Sequence, residues 1–495
     1  MLRDALGEDA VADELAERRL YDHDLAPSLS MLEMTYRSIP DAVVRPRDAK
    51  QVSEVLRLAN KHRFPVVPRG AATWGLGGAV PATGGVVLDM TSLDRVIDVD
   101  VERSTLTVEA GATWQKALAA ARKRGLQIGI YPSSFPSATV GGWIGVGGAG
   151  IGSLKYGPIW ENLAALQVVL PDGSIMESHP GGSHLPLKDF VGAEGIFGVV
   201  TAATIKAHPV PEKTLPVAFS FDGLAAAGPF LQRLPAEAGP MHVMFSDRTN
   251  FDWLEAAGVH TGVTSALVTV VLEGRTGDVE RSAANVTEMA ASSGGKAPPP
   301  GAGEWVWRER SYEYRFRKLG TQSLPAEAII PLSDYGPAME EAYSLIRRFR
   351  LNAAMKGSLA DGGTFMLMPH FLIDERRPLR TMAAMSFNVS MAGMAARRGG
   401  RIAGLGMYLP YLLKKMYAEA DIDRMLTLKK RLDPGNILNP GKMLEGRYGS
   451  GRRMSPYSTR LVMGITAGLR RLMRPERLPR PADGPGEDDA GGPGV

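Results

Sequence analysis

Residues 65–78 read PVVPRGAATWGLGG: a short apolar run, an arginine, and glycines at 70, 75, 77 and 78. Glycine lets a backbone approach a ligand closely and turn its N–H groups toward one point. Successive N–H groups arranged that way form an anion-binding nest, and a pyrophosphate suits it. A Gly-rich turn without a guest reads the same from this stretch alone.

The flanks suggest a frame for the loop. PDAVVRP (40–46) reads as a strand ended by proline. Asp48 then caps a helix with Val52, Val55, Leu56 and Ala59 at spacings of three and four. Pro65 stops it, and Val66-Val67 is the next strand, giving a βαβ unit with the Gly-rich turn after its second strand. Strands are expected at 86–89, 95–99, 106–109 and 199–206, and a pair around the Pro-Asp-Gly turn of LQVVLPDGSIM (166–176). Thr113 opens a helix running to Arg124, with Gly125 ending it. Residues 9–20 read as a surface helix.

A second stretch, PSSFPSATVGGWIGVGGAGIGSLKYG (132–157), contains Gly145, Gly147 and Gly150 in the pattern G-x-G-x-x-G. A Rossmann site needs a strand directly before it and a helix directly after. These flanks are rich in Pro, Ser and Gly without helical period, so an extended loop along a dinucleotide is expected.

With GAEGIFGVV (192–200) and PGNILNPGK (434–442), the chain resembles the FAD-linked oxidases, the PCMH-type or vanillyl-alcohol-oxidase superfamily. The nearest branch is that of the glycolate oxidase flavin subunit, D-lactate dehydrogenase and D-2-hydroxyglutarate dehydrogenase. The resemblance spans about residues 20–445 and implies an α+β fold. Its parts are an N-terminal helical segment (1–39), a two-subdomain PCMH-type FAD-binding domain (40–212) and an α+β substrate cap with an antiparallel sheet plus helices (213–420). Residues 421–445 return to the FAD domain, and 446–495 form a tail. Within the cap, 263–274 reads as a strand, 335–350 and 410–429 as helices, and 291–303 as an exposed loop.

The resemblance assigns FAD contacts to Arg69, Gly70, Ala71, Ala72, Thr73, Gly77 and Gly78 in the first loop. The second loop supplies Pro132, Ser133, Thr139, Gly141, Gly142, Gly148 and Ser153. Glu194, Gly198 and Val200 serve the adenine or ribitol side, and Asn439 with Lys442 closes over the isoalloxazine. Relatives often carry asparagine where Trp143 and Gly147 stand. Tyr21 and Asp24 match the family's Tyr-x-x-Asp. No histidine lies between His62 and His179, so the flavin is expected to be non-covalent.

On the substrate side, Trp307 and Arg310 match a Trp-x-x-Arg whose arginine binds a substrate carboxylate in relatives. A planar guanidinium suits that role through two parallel charge-assisted hydrogen bonds. Tyr312 and Tyr314 are nearby hydroxyls, and His370 is the candidate base beside Tyr314. The family's G-H-x-G-D-G-N-x-H falls on GSLADGGTF (357–365), so Ser358 and Phe365 replace both histidines and only Asp361 and glycines remain. The later Glu-His-Gly falls on Leu405, Gly406 and Met407. No metal site is therefore expected.

The expected activity is oxidation of a 2-hydroxy acid or related alcohol by hydride transfer to flavin N5, with electrons leaving to a separate acceptor. The chain has no cysteine, so it can ligate no iron–sulfur cluster through thiolates, and an iron–sulfur protein or other acceptor would take them. Two alternatives stand beside this: a flavin-bearing relay or scaffold subunit, and a non-redox flavoenzyme resembling alkylglycerone-phosphate synthase. A net charge of +4 over 495 residues gives no argument for nucleic acid. Neither a signal peptide nor a membrane span is expected, and the expected location is the cytoplasm. A basic amphipathic helix at 457–474 offers peripheral contact with the inner face of the membrane or with a partner.

Overall fold

The structure, a computed structural model, describes residues 1–25, 37–182, 185–311, 315–320, 322–325, 327–373 and 377–445, with 465, 468 and 469 beyond. Tyr312, Tyr314 and nearly all of the proposed 457–474 helix lie outside the described residues.

Strands β1 (Val11–Ala12), β2 (Ala42–Val44), β3 (Val66–Arg69) and β4 (Val86–Asp89) form one sheet in the order β1-β2-β4-β3. β2 and β3 both run parallel to β4. The helix Ala49–His62 crosses between them, capped by Asp48, whose Oδ1 accepts the Gln51 N–H at 2.8 Å. Its buried face carries Val52, Val55, Leu56 and Ala59, and each Val or Leu so buried is worth about 1.5–3 kcal/mol. Residues 9–20 are not one helix. Val11-Ala12 pairs antiparallel with β2, and only Leu15–Arg18 is α-helical. The pairing covers what would otherwise be an open sheet edge.

A second, antiparallel sheet holds β5 (Val96–Asp100), β6 (Thr105–Glu109), β7 (Leu126–Ile128), β8 (Leu163–Val169), β9 (Ile175–Ser178) and β10 (Val199–Pro209), with β10 central. The expected helix is Trp114–Lys123, and Thr113 caps it through the Lys116 N–H.

The second Gly-rich stretch departs from the extended loop expected of it. Val140–Val146 is a helix. Thr139 is its cap, Oγ1 accepting from the Gly142 N–H at 3.3 Å, and Gly147 ends it at φ 67°. The glycines hide the helical period, yet they allow the close packing: a Cβ on Gly141 would lie 2.6 Å from that of Ala110.

The third sheet has eight strands: β11 (Lys213–Phe221), β12 (His242–Ser246), β13 (Ala266–Gly274), β14 (Gln322–Pro325), β15 (Ala328–Pro331), β16 (Ala353–Leu359), β17 (Thr364–Ile373) and β18 (Arg401–Ile402). Its order is β11-β13-β12-β16-β17-β15-β18, with β14 on β17, and all pairings are antiparallel. Helices Tyr335–Phe349 and Pro378–Arg397 join its core. Strand alternation sends Val243 and Phe245 into that core and leaves His242, Met244 and Ser246 for the other face. Near the end of the described chain, Asn439 N–H donates to the Val66 carbonyl, and Val66 N–H to that of Ile437, which sets residues 437–439 beside β3. No described helix is long and apolar enough to cross a membrane.

Candidate active site

One cavity runs from the two glycine-rich loops of the smaller sheets to the open face of the eight-stranded sheet. Arg69, Gly70, Ala71, Ala72, Thr73 and Gly78 line it from the first loop. Pro132, Ser133, Thr139, Gly141, Gly142 and Gly148 line it from the second, and Glu194, Gly198 and Val200 from the third. The loops touch: a Cβ on Gly70 would fall 2.1 Å from Thr139 Oγ1.

Three residues expected at the cofactor stand behind this wall instead. Gly77 N–H donates to Asp24 Oδ2 at 2.6 Å. Ser153 Oγ, with one proton to donate, lies 2.6 Å from the Ala360 carbonyl oxygen and 2.9 Å from that of Gly150, tying the second loop to the end of β16. Asn439 Nδ2 donates to the carbonyls of Gly78 at 3.1 Å and Glu194 at 2.6 Å, clamping two loops together. Lys442 is likewise buried, donating to the Val80 carbonyl, and burial pushes its amine down to about 7.

The Tyr-x-x-Asp acts from the same side. Tyr21 lies under the Arg69 guanidinium, 5.1 Å from ring centre to Cζ, while Arg69 Nη1 donates to the His23 carbonyl at 2.7 Å. Arg69 thus anchors the N-terminal segment to the loop as well as lining the cavity.

The polar groups in the wall indicate what it can hold. A Cβ on Gly145 would meet nothing within 4 Å and one on Gly148 nothing nearer than 3.8 Å, so bare backbone faces the open space there. Glu194 Oε1 accepts the N–H groups of Leu405 at 2.8 Å and Gly406 at 2.9 Å, whereas its Oε2 is buried with no partner among the described residues. Burial raises the Glu194 pKa. Asn250 Oδ1 is buried and similarly unmatched. Exposed backbone beside unsatisfied polar atoms fits a long, polar-backed ligand such as a dinucleotide.

The opposite wall is the eight-stranded sheet. Met244, Ser358 and Met366 form one row across β12, β16 and β17, and Ser246, Lys356 and Met368 the next. Arg310 follows the helix Ala302–Arg308 and reaches into the cavity. Its Nη1 donates to the Trp307 carbonyl at 2.7 Å and its Nε to Tyr131 Oη at 3.2 Å. Its Cζ lies 4.1 Å from the Trp307 ring centre and 5.4 Å from that of Phe135. Among the described residues no carboxylate pairs with it. Glu309, its chain neighbour, pairs with Arg315 at 2.5 Å.

His370 does not reach the cavity. It sits on β17 on the same side as Met366 and Met368, but it is wholly buried, 5.7 Å from the Phe316 ring. Burial holds it well below the ordinary histidine range. The histidine that lines the cavity is His242, which the sequence reading passed over. The signal was the alternation His242-x-Met244-x-Ser246 beside two core residues. Ser358 is in the wall and Phe365 in the core. Among the described residues no cluster of His, Asp and Glu could hold a metal.

A family model described as an FAD binding domain matches residues 40–178, and one described as the C-terminal domain of FAD linked oxidases matches 210–443. The chain belongs to the FAD-linked oxidases. It is an FAD-dependent oxidoreductase of the PCMH-type fold, and FAD is its cofactor. The glycolate oxidase subunit GlcD of Bacillus subtilis is 29% identical over 458 residues, 88% of this chain and 94% of that protein. A probable mitochondrial D-lactate dehydrogenase of Danio rerio is 26% identical over 429 residues, 82% of this chain and 84% of that one. p-Cresol methylhydroxylase with substrate bound superposes with a TM-score of 0.76 at 18% identity, over 90% of this chain and 95% of that one. An alkyldihydroxyacetonephosphate synthase gives 0.69 at 21% identity, over 89% and 84%. Both structures are alike in fold only.

Proposed function

We propose that this FAD-linked oxidase oxidises a 2-hydroxy acid and passes the electrons to a separate acceptor. The observation that carries the reading is Arg310: a half-buried guanidinium in the cavity wall, fixed at Nη1 and Nε, with no carboxylate of its own among the described residues. A substrate carboxylate meets that charge by a charge-assisted hydrogen bond.

When bound, FAD supplies a two-electron acceptor for a hydride from the substrate carbon. Gly70 to Thr73, Gly78, Pro132, Ser133, Thr139, Gly141, Gly142, Gly148, Glu194, Gly198 and Val200 are the residues that would hold it. Arg69, Gly77, Ser153 and Asn439 would keep their loops in place. Arg310 orients the substrate by its carboxylate, and Trp307 and Tyr131 orient Arg310. Met244, Met366, Met368 and Trp305 exclude water from the reacting carbon. The GlcD and D-lactate dehydrogenase names of the relatives support a small hydroxy acid as substrate. Without cysteine the chain holds no thiolate-bound cluster, so an iron–sulfur protein or another carrier would remove the electrons.

The test is anaerobic. The purified protein is mixed with a panel of 2-hydroxy acids and with the matching 1,2-diols, and flavin absorbance is followed. Bleaching by at least one acid, and by none of the diols, is expected. Bleaching by diols as readily as by acids would remove Arg310 from the reading.

A further inference from the structure

His242 is the first residue of β12, only 3% exposed, yet it lines the cavity beside Met244 and Ser246. Its Nδ1 is enclosed without a partner among the described residues. Val271 lies opposite on β13. Arg310 is the charged group that acts on it. The other ionisable groups lining the cavity are Lys356 on β16, Glu327 and the Glu309–Arg315 pair, with Asp24, Arg69 and Glu194 on the side of the glycine-rich loops. The short helix Ser153–Tyr156 packs against β12 and carries Lys155, whose amine is engaged by Glu273 at 3.0 Å.

We propose that His242 takes the hydroxyl proton of the substrate, and that the substrate's own carboxylate, seated on Arg310, raises the basicity of the imidazole as it binds. The proposal rests on the hydroxy-acid reading above. In the substrate-free cavity two effects oppose a charged imidazole. Burial comes first and the Arg310 charge second, and together they push the His242 pKa down to about 3. A carboxylate on Arg310 cancels the second effect, because opposite charges in close contact look neutral from outside. The imidazole then gains proton affinity only when a substrate bearing a carboxylate is in place.

The step balances. The O–H bond breaks and its proton passes to the imidazole lone pair. The oxygen's electron pair forms the carbonyl as the hydrogen on carbon leaves with both bonding electrons to the bound flavin. The 2-hydroxy acid becomes a 2-oxo acid, and the proton leaves His242 by exchange with solvent. An alcohol without the carboxylate would meet a histidine that stays a poor base, so one pair of residues would both recognise and activate.

Two measurements on the FAD-loaded protein decide this. The first is a histidine NMR titration with and without oxalate, a carboxylate probe that cannot be oxidised by hydride loss. The His242 signal is identified by its disappearance in His242→Gln, or in His242→Asn should the first variant not fold. Oxalate is expected to raise its midpoint by about one pH unit or more. An unchanged midpoint with oxalate bound overturns the proposal whether or not any hydroxy acid is a substrate. The second is single-turnover flavin reduction. His242→Gln should bind oxalate within about threefold of wild type while reducing its flavin on the order of 10²- to 10⁴-fold more slowly. Its pH profile should also lose the rising limb of the wild type. Reduction within about threefold of wild type would overturn the role of His242. A wild type that no hydroxy acid reduces would instead overturn the hydroxy-acid reading.

Discussion

The Arg310 guanidinium lies 4.1 Å from the centre of the Trp307 ring and donates to the Trp307 carbonyl at 2.7 Å. Three residues of chain thus fold back so that the tryptophan is both platform and anchor for the arginine. The two matching residues of the Trp-x-x-Arg act as one unit.

Removing the platform should loosen the arginine without touching the cofactor loops. Cation–π contacts contribute about 0.5–2 kcal/mol. Trp307→Ala is expected to weaken oxalate binding roughly 3- to 30-fold, read from the flavin absorbance change, with FAD content unaltered. Unchanged oxalate affinity would show that Arg310 is held by other means.

The glycines of the cavity wall should separate into two kinds. At Gly70 an added Cβ would meet Thr139 Oγ1 at 2.1 Å, so Gly70→Ala forces the two loops apart. At Gly145 it would meet nothing within 4 Å. Gly70→Ala is expected to lower both FAD retention and apoprotein melting temperature. Gly145→Leu should fold as wild type but retain less FAD, its side chain occupying ligand space. The FAD is expected to leave intact with acid in every case. Flavin that stays with the precipitated protein would indicate a covalent link, and His242 would be the first residue to examine.

Asp247 gives a stability signature with a definite sign. It caps the helix Arg248–Ala256, accepting from the Asn250 N–H at 3.0 Å and from Tyr343 Oη at 3.2 Å. Burial dominates and pushes its pKa up to about 6. The folded state therefore holds this proton more tightly than the unfolded state. Its stabilising contribution is complete below about pH 4 and is lost as pH rises through about 6. Relative to Asp247→Asn, the wild type should lose urea resistance between pH 4 and pH 6. A gain over that range would reverse the assignment.

Turnover is expected to need no divalent metal. Ser358 supplies a hydroxyl to the wall, Phe365 fills the core, and a Cβ on Gly406 would lie 1.8 Å from the Leu76 carbonyl oxygen. A strong chelator should leave the rate of flavin reduction unchanged, with zinc, iron and manganese below one per chain by elemental analysis. Stoichiometric metal lost together with activity would place ligands elsewhere in the cap.

The legible parts of the fold were those with unambiguous period and caps. Asp48 and Thr113 each cap the helix expected of them, because an Asx or Thr side chain before an amphipathic run has few other uses. The helix at Val140–Val146 is hidden in the sequence because its glycines carry no side chains to show a period. In the site, the Gly-rich stretches are visible as a local pattern and Arg310 follows from the family resemblance, and both line the cavity. His242 and His370 could not be ranked that way. Both sit on cap strands, and the difference between them is tertiary: His370 is buried against Phe316, whereas His242 lines the cavity.

The central claim is that Arg310 receives the substrate's carboxylate, and a two-by-two comparison tests it most directly. Single-turnover flavin reduction is measured for wild type and Arg310→Met, each with the best 2-hydroxy acid and with its methyl ester. Loss of a hydrogen bond to a charged group costs about 1.5–3 kcal/mol, roughly 10- to 150-fold at saturation half-point. The account predicts that the acid on Arg310→Met and the ester on wild type are slowed by similar factors, and that the ester on Arg310→Met is slowed little further. Two independent losses that multiply would contradict it, because the arginine and the carboxylate would then be acting on different partners.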